Sequence, residues 1–149
     1  MGGTGAGHTG ITGLNHITFA VSDLPRSIAF YREILGADLR AEWANGAYLS
    51  LGTLWLCLAR GPVDARADYS HVALGCRASD FPEIASKIAR NCLEWQDNSS
   101  EGNSIYFLDP DGHRLELHVG SLESRLSHYR ANPASGVTIP APDPRPDKG

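Results

Sequence analysis

Apolar and polar positions along the chain fall into two similar cycles. Asn15-His16-Ile17-Thr18-Phe19-Ala20-Val21 alternates as a strand should, and Ser70-His71-Val72-Ala73-Leu74-Gly75-Cys76 repeats it 55 residues later. A Ser-Asp pair follows each run, Ser22-Asp23 and Ser79-Asp80, and the period then lengthens to that of a helix. The spacing predicts helices over residues 24–35, with Ile28, Tyr31 and Leu35 on one stripe, and 81–90, with Phe81, Ile84 and Ile88 likewise. Pro25 and Pro82 sit in the first turn, where a missing N–H costs nothing. Three strand-like runs follow each helix: 38–43, 47–51 and 54–59, then 93–97, 104–108 and 114–119. Gly52-Thr53 turns the chain in the first set and Asp109-Pro110-Asp111-Gly112 in the second.

Each half therefore reads βαβββ, the repeats covering about residues 13–60 and 68–119. The expected class is α+β, with two repeats forming a curved mixed sheet around a cleft. An amphipathic helix is expected over residues 122–129, closing a single domain of residues 13–131. Residues 1–12 read as a tag or disordered extension, and 132–149, rich in Pro, Gly and Asp, as an extended or disordered tail.

The 149 residues carry 42% apolar and 20% charged side chains, proportions of a globular chain able to bury a core. A net charge of −4 with no basic stripe argues against nucleic acid as a partner. No apolar run is long enough to span a bilayer, and the first ten residues lack the features of a secretory signal. Three cysteines without CxxC pairing, Cys57, Cys76 and Cys92, fit reduced thiols and a cytoplasmic location better than a disulfide framework.

The repeat also organises the chemistry. Strand parity places His16 with Thr18 and Ala20, and the matching His71 with Tyr69 and Ala73. In the last strand Arg114, Glu116 and His118 share a face, which sets a carboxylate on a central strand of an otherwise apolar sheet. Burying it alone would be costly, and a cation removes that cost. Two imidazoles and a carboxylate hold a divalent ion with open positions, a set suited to Lewis-acid chemistry on a substrate. His113, at the turn, and His118, two residues beyond Glu116, are rival ligands.

Further segments extend the pattern: Gly13-Leu14-Asn15-His16-Ile17-Thr18, Gly46-Ala47-Tyr48-Leu49, Leu54-Trp55-Leu56-Cys57-Leu58 and Asp68-Tyr69-Ser70-His71. Two more, Ser100-Glu101-Gly102-Asn103-Ser104-Ile105-Tyr106-Phe107-Leu108 and Asp109-Pro110-Asp111-Gly112-His113-Arg114-Leu115-Glu116, are the most specific. Over residues 14–130 the chain resembles the vicinal oxygen chelate superfamily, which also holds the glyoxalase and bleomycin-resistance proteins. Within it the chain is most similar to the manganese-dependent fosfomycin glutathione transferases. The resemblance implies that glutathione opens the epoxide of fosfomycin, inactivating the antibiotic. It implies Mn²⁺ on His16, His71 and Glu116, with Mg²⁺ as an alternative, and a K⁺ ion wrapped by Asn98, Ser100, Gly102 and Ser104. It further implies a homodimer with swapped pairing, in which His16 joins His71 and Glu116 of the other chain.

By the same resemblance Arg125 would take the phosphonate, and Ser100, Ser104 and Tyr106 would supply hydroxyls to the substrate. Thr18 would reach the oxygen of the opening ring, Tyr48 would assist the thiol, and Trp55, Cys57 and Tyr69 would wall the pocket. Trp43, Asn45 and Gln96 are candidates for the thiol site. The chain departs from the pattern at Gln96 and Ser99, where a lysine and an arginine are usual, which predicts weaker anion binding. The hydrolase branch carries a glutamate base where this chain has Gly46, which favours a thiol over water. A bacillithiol-using transferase, a drug-sequestering module and an Fe(II) dioxygenase of the same fold are the remaining alternatives.

Overall fold

The computed structural model of the chain describes residues 10–98 and 103–141. In the first half β1 (His16–Val21) leads into α1 (Leu24–Glu33), then β2 (Asp38–Trp43), β3 (Gly46–Leu51) and β4 (Leu54–Arg60). The second half repeats this as β5 (Val72–Gly75), α2 (Phe81–Asn91), β6 (Glu94–Gln96), β7 (Ser104–Leu108) and β8 (Arg114–His118). The helix starts follow the sequence signals: Asp23 accepts the Arg26 N–H at 3.0 Å, and a proline occupies the first turn of both helices.

Each half folds into its own four-stranded sheet, in the orders β1-β4-β3-β2 and β5-β8-β7-β6. The first strand of each half runs parallel to the last, and the other pairings are antiparallel, so the mixed sheets expected of a βαβββ repeat are present. The two sheets share one core. Leu49, Leu56 and Leu58 of the first sheet, Phe107 and Leu115 of the second, Tyr31 of α1 and Ile88 of α2 are all almost fully buried in a single cluster. Because side chains alternate, the opposite face of each sheet lies outside that core.

The halves are also joined by polar contacts from the β7–β8 turn. Asp111, whose side chain is nearly buried, accepts from Ser22 N–H and from the hydroxyls of Ser22 and Ser27 at 2.5 and 3.4 Å, and pairs with Arg26 at 3.3 Å. Tyr31 donates to Asp109 at 2.8 Å. Burial first, and the adjacent Asp109 second, hold the Tyr31 phenol well above its ordinary pKa.

α3 (Leu122–Ala131) starts with a capping box built from Ser121 and Ser124, but none of its residues is buried and Leu122 is 70% exposed. The helix read from the sequence thus forms, with Leu126 and Tyr129 half-buried rather than in the core. No helix among the described residues is long and apolar enough to cross a membrane.

Candidate metal and substrate site

On the second sheet the cross-strand row Ala73–Glu116–Tyr106–Gln96 sets Glu116 in the middle of the open face. Glu116 is only 6% exposed, and both of its oxygens are engaged. Oε1 lies 3.0 Å from Nε2 of His71, while Oε2 accepts the Ser104 hydroxyl at 2.7 Å. Ser104 in turn accepts from Nδ1 of His118 at 2.6 Å, so the chain His118 to Ser104 to Glu116 fixes the rotation of the carboxylate. His118, a rival ligand by sequence, is thereby an orienting group.

His71 is equally constrained. Its Nδ1–H donates to the Tyr69 carbonyl at 2.8 Å, which leaves the Nε2 lone pair pointing at the carboxylate. A lone pair facing a carboxylate oxygen at 3.0 Å requires a cation, either a proton or a metal ion. Two donors at right angles around one ion, each about 2.1 Å away, stand about 3.0 Å apart. The pair therefore fits a divalent ion, with the carbonyl that fixes the tautomer behind it.

The first sheet carries the third ligand of the expected set. His16 is exposed on the open face, its ring centroid 4.6 Å from that of Trp55, and its Nδ1–H donates to the Asn15 side-chain carbonyl at 2.8 Å. Both repeat-related histidines thus have Nδ1 held by a carbonyl oxygen and Nε2 free for a metal. Yet one chain does not bring the three ligands together: among the described residues no group of three or more His, Cys, Asp or Glu side chains could hold one ion. His16 belongs to one sheet and His71 and Glu116 to the other, and the two sheets share no hydrogen-bonded strands.

His113 is removed from the ligand candidates. Its Nε2–H donates to the Ala20 carbonyl at 2.7 Å and its ring stacks on Phe19 at 4.7 Å, so it joins the two halves.

The expected pocket residues divide between the two faces. On the first sheet Thr18, Cys57 and Tyr48 form one cross-strand row, and Trp55 packs edge-on to Tyr48 at 5.3 Å. Trp43 meets Tyr48 at 4.8 Å, and Asn45 lies exposed in the β2–β3 turn. On the second sheet Tyr69, Trp95 and Tyr106 surround the His71 ring at 5.0, 5.3 and 5.9 Å. Gln96 donates to the Tyr69 hydroxyl at 3.3 Å. Arg125 is half-buried on α3 and Asn98 is exposed just after β6. Ser99, Ser100 and Gly102 lie outside the described residues, so the expected K⁺ loop is represented by Asn98 and Ser104 alone.

Sequence reasoning missed Trp95 as part of this face, and placed Arg114 on it by parity with Glu116 without giving it a role. Trp95 donates to the Leu115 carbonyl at 3.0 Å, and the Arg114 guanidinium lies 4.9 Å from its ring centroid. A bulge between Glu94 and Gln96 explains the omission for Trp95: both Trp95 and Gln96 reach the open face, which strict alternation forbids. For Arg114 the parity shared with Glu116 was the available signal.

The description Glyoxalase/Bleomycin resistance protein/Dioxygenase superfamily matches residues 13–117. The chain is 47% identical to the glutathione transferase FosA of Serratia marcescens over 132 residues, covering 85% of this chain and 94% of that protein. It is 44% identical to the metallothiol transferase FosB of Staphylococcus haemolyticus, covering 80% and 92%. Among solved structures, a variant of the fosfomycin resistance protein FosX from Listeria monocytogenes, in complex with Mn(II) and 1S,2S-dihydroxypropylphosphonic acid, superposes with a TM-score of 0.70. It is 31% identical, over 78% of this chain and 98% of that one. With the βαβββ repeat and its matched histidines, these similarities place the chain in the glyoxalase/bleomycin resistance superfamily and, within it, in the fosfomycin resistance enzyme family.

Proposed function

We propose that the protein is a fosfomycin thiol transferase in which His16 of one chain and His71 and Glu116 of a second hold a divalent ion, Mn²⁺ for preference. The observation that carries this reading is the His71 Nε2 lone pair aimed at Glu116 Oε1 at 3.0 Å, with a matched imidazole on the opposite half. The single-chain arrangement supports a dimer. Both open faces expose aromatic rings, Trp43 at 47%, Trp55 at 41% and Tyr69 at 61%, which a second chain would cover. A swapped pair sets the first sheet of one chain against the second sheet of the other and closes the cup. An apolar cleft of about 510 Å³ between the β1 and β5 edges, lined by Leu14, Ile17, Val72 and Leu117, is a further surface for such a contact.

The bound ion would polarise the epoxide oxygen and stabilise the developing alkoxide. The remaining work falls to the side chains. Thr18 donates to the ring oxygen as it opens, and Arg125 and the hydroxyls of Tyr106 and Ser100 hold the phosphonate, while the Ser104 hydroxyl proton stays directed at Glu116. Tyr48 accepts or relays the thiol proton, while Trp55, Cys57 and Tyr69 keep water from the carbon under attack. Asn98, Ser100, Gly102 and Ser104 would hold K⁺ close to the anionic substrate. Trp43, Asn45 and Gln96 would contact the thiol, with glutathione the preferred co-substrate on the 47% identity to a glutathione transferase.

Gly46 favours a thiol over water. A Cβ at this position would stand 2.5 Å from the Trp43 ring and 2.9 Å from the Leu58 carbonyl oxygen. A general-base glutamate therefore does not fit beside Trp43 as it is placed here. Gly46→Glu is accordingly expected to lose thiol transfer without gaining hydrolysis. Mass spectrometry of fosfomycin incubated with Mn²⁺ and glutathione, bacillithiol, cysteine or water alone tests the reading, with chelator as control. A thiol adduct that disappears with chelator is expected. A diol as the only product, or no product with any thiol, would overturn it.

A further inference from the structure

Arg114 is a cation on the face that carries Glu116, and among the described residues no carboxylate pairs with it. Its Nη1 donates instead to the backbone carbonyl of Asp68 at 2.6 Å, and its planar head lies over Trp95. Both contacts lead to His71. Asp68 begins the short segment that ends on this histidine, and its carboxylate takes the Ser70 N–H at 3.0 Å and the Arg66 guanidinium. The next carbonyl along, that of Tyr69, is the one that fixes the His71 tautomer. Trp95, on the other side, packs against the His71 ring at 5.3 Å and is tied by its indole N–H to the Leu115 carbonyl. One guanidinium thus holds the backbone before His71 and the aromatic wall beside it.

We propose that Arg114 is a positioning residue for the metal site, fixing His71 in its ligand geometry through the Asp68 carbonyl and Trp95. The inference rests on the metal reading given above. A planar fork is suited to this double duty, because it donates in its plane while its face stacks on an indole. The sign of the effect separates positioning from simple charge. A positive group near a cation site repels the ion, so removing that charge alone would tighten metal binding. Removing a group that orients a ligand loosens it, commonly by about 10–100-fold.

The test is a Mn²⁺ titration of the full chain, with free ion read by electron paramagnetic resonance and no substrate present. Arg114→Met is expected to weaken binding about tenfold or more, with the melting temperature in chelator within about 4 °C of wild type. Arg114→Lys keeps the charge but not the flat face, and is expected to weaken binding as well. The loss should persist in a His16→Ala background and vanish in a His71→Ala background, where the ligand it serves is already gone. Unchanged or tighter binding in both Arg114 variants, or an equal loss in the two histidine backgrounds, would overturn the proposal. If wild type binds no Mn²⁺, the metal reading itself fails and the proposal falls with it.

Discussion

The two open sheet faces are built on one repeat, and they differ most at a single register position. In the first half the middle row is Thr18–Cys57–Tyr48, and in the second it is Ala73–Glu116–Tyr106. The scaffold is the same, the tyrosines correspond, and a nearly buried thiol stands where the other half has a carboxylate. The surroundings differ accordingly. Glu116 is held by Ser104 and His118, whereas the first face offers exposed aromatic rings and one oriented imidazole. Among the described residues neither face is a metal site alone, and in the proposed dimer the two together would supply three ligands. Duplication supplies matched surfaces, and divergence at one position decides which of them carries the negative charge.

The largest effect separates those two positions. Glu116→Ala is expected to abolish Mn²⁺ binding and to lower turnover by roughly a thousandfold or more, while Cys57→Ser should leave Mn²⁺ affinity within about twofold. Metal titration of both variants decides the matter, and equal losses would erase the distinction between the halves.

Next comes the seam that joins the halves. Asp111→Ala leaves Ser27 and the Ser22 N–H without their acceptor, and should cost about 2 kcal/mol, or roughly 4–8 °C in melting temperature. A loss confined to turnover, with no thermal change, would contradict this account of the seam.

A smaller effect is expected at the neighbouring bond. Tyr31→Phe removes one donor from the buried Asp109 and should cost about 1–2 kcal/mol. The variant also tests the pH dependence. Burial, and then the charge of Asp109, hold the Tyr31 phenol above its ordinary value and push the Cys92 thiol up to about 11. Both groups keep their protons more tightly in the folded chain than in the unfolded one. The stability this implies is whole below the ordinary thiol pKa and declines as pH rises from about 9 towards 11. Thermal melts from pH 7 to 10.5 should show that decline, shallower in Tyr31→Phe.

Much of this was legible in the sequence because the repeat imposes itself twice. Strand and helix bounds agree to within a residue or two, and parity correctly grouped His16 with Thr18 and Glu116 with His118. What parity cannot see is an interruption of itself, and the β6 bulge hid Trp95 for that reason. Nor does periodicity say which faces meet. The histidines match in sequence but stand on separate sheets that do not bring three ligands together among the described residues, a fact that belongs to packing. The last helix shows the same limit: the sequence places it over the right residues, but its apolar positions are only half-buried or exposed and its two faces differ little.

The central claim, that the site is assembled from two chains, has a direct test. His16→Ala and Glu116→Ala chains, each inactive alone, are unfolded, mixed in equal amounts and refolded together. If the sites are shared, about a quarter of them regain all three native ligands, and about a quarter of wild-type thiol transfer returns. If each site is built within one chain, every site lacks a ligand, and activity that stays at the level of the separate variants despite dimer formation would contradict the account.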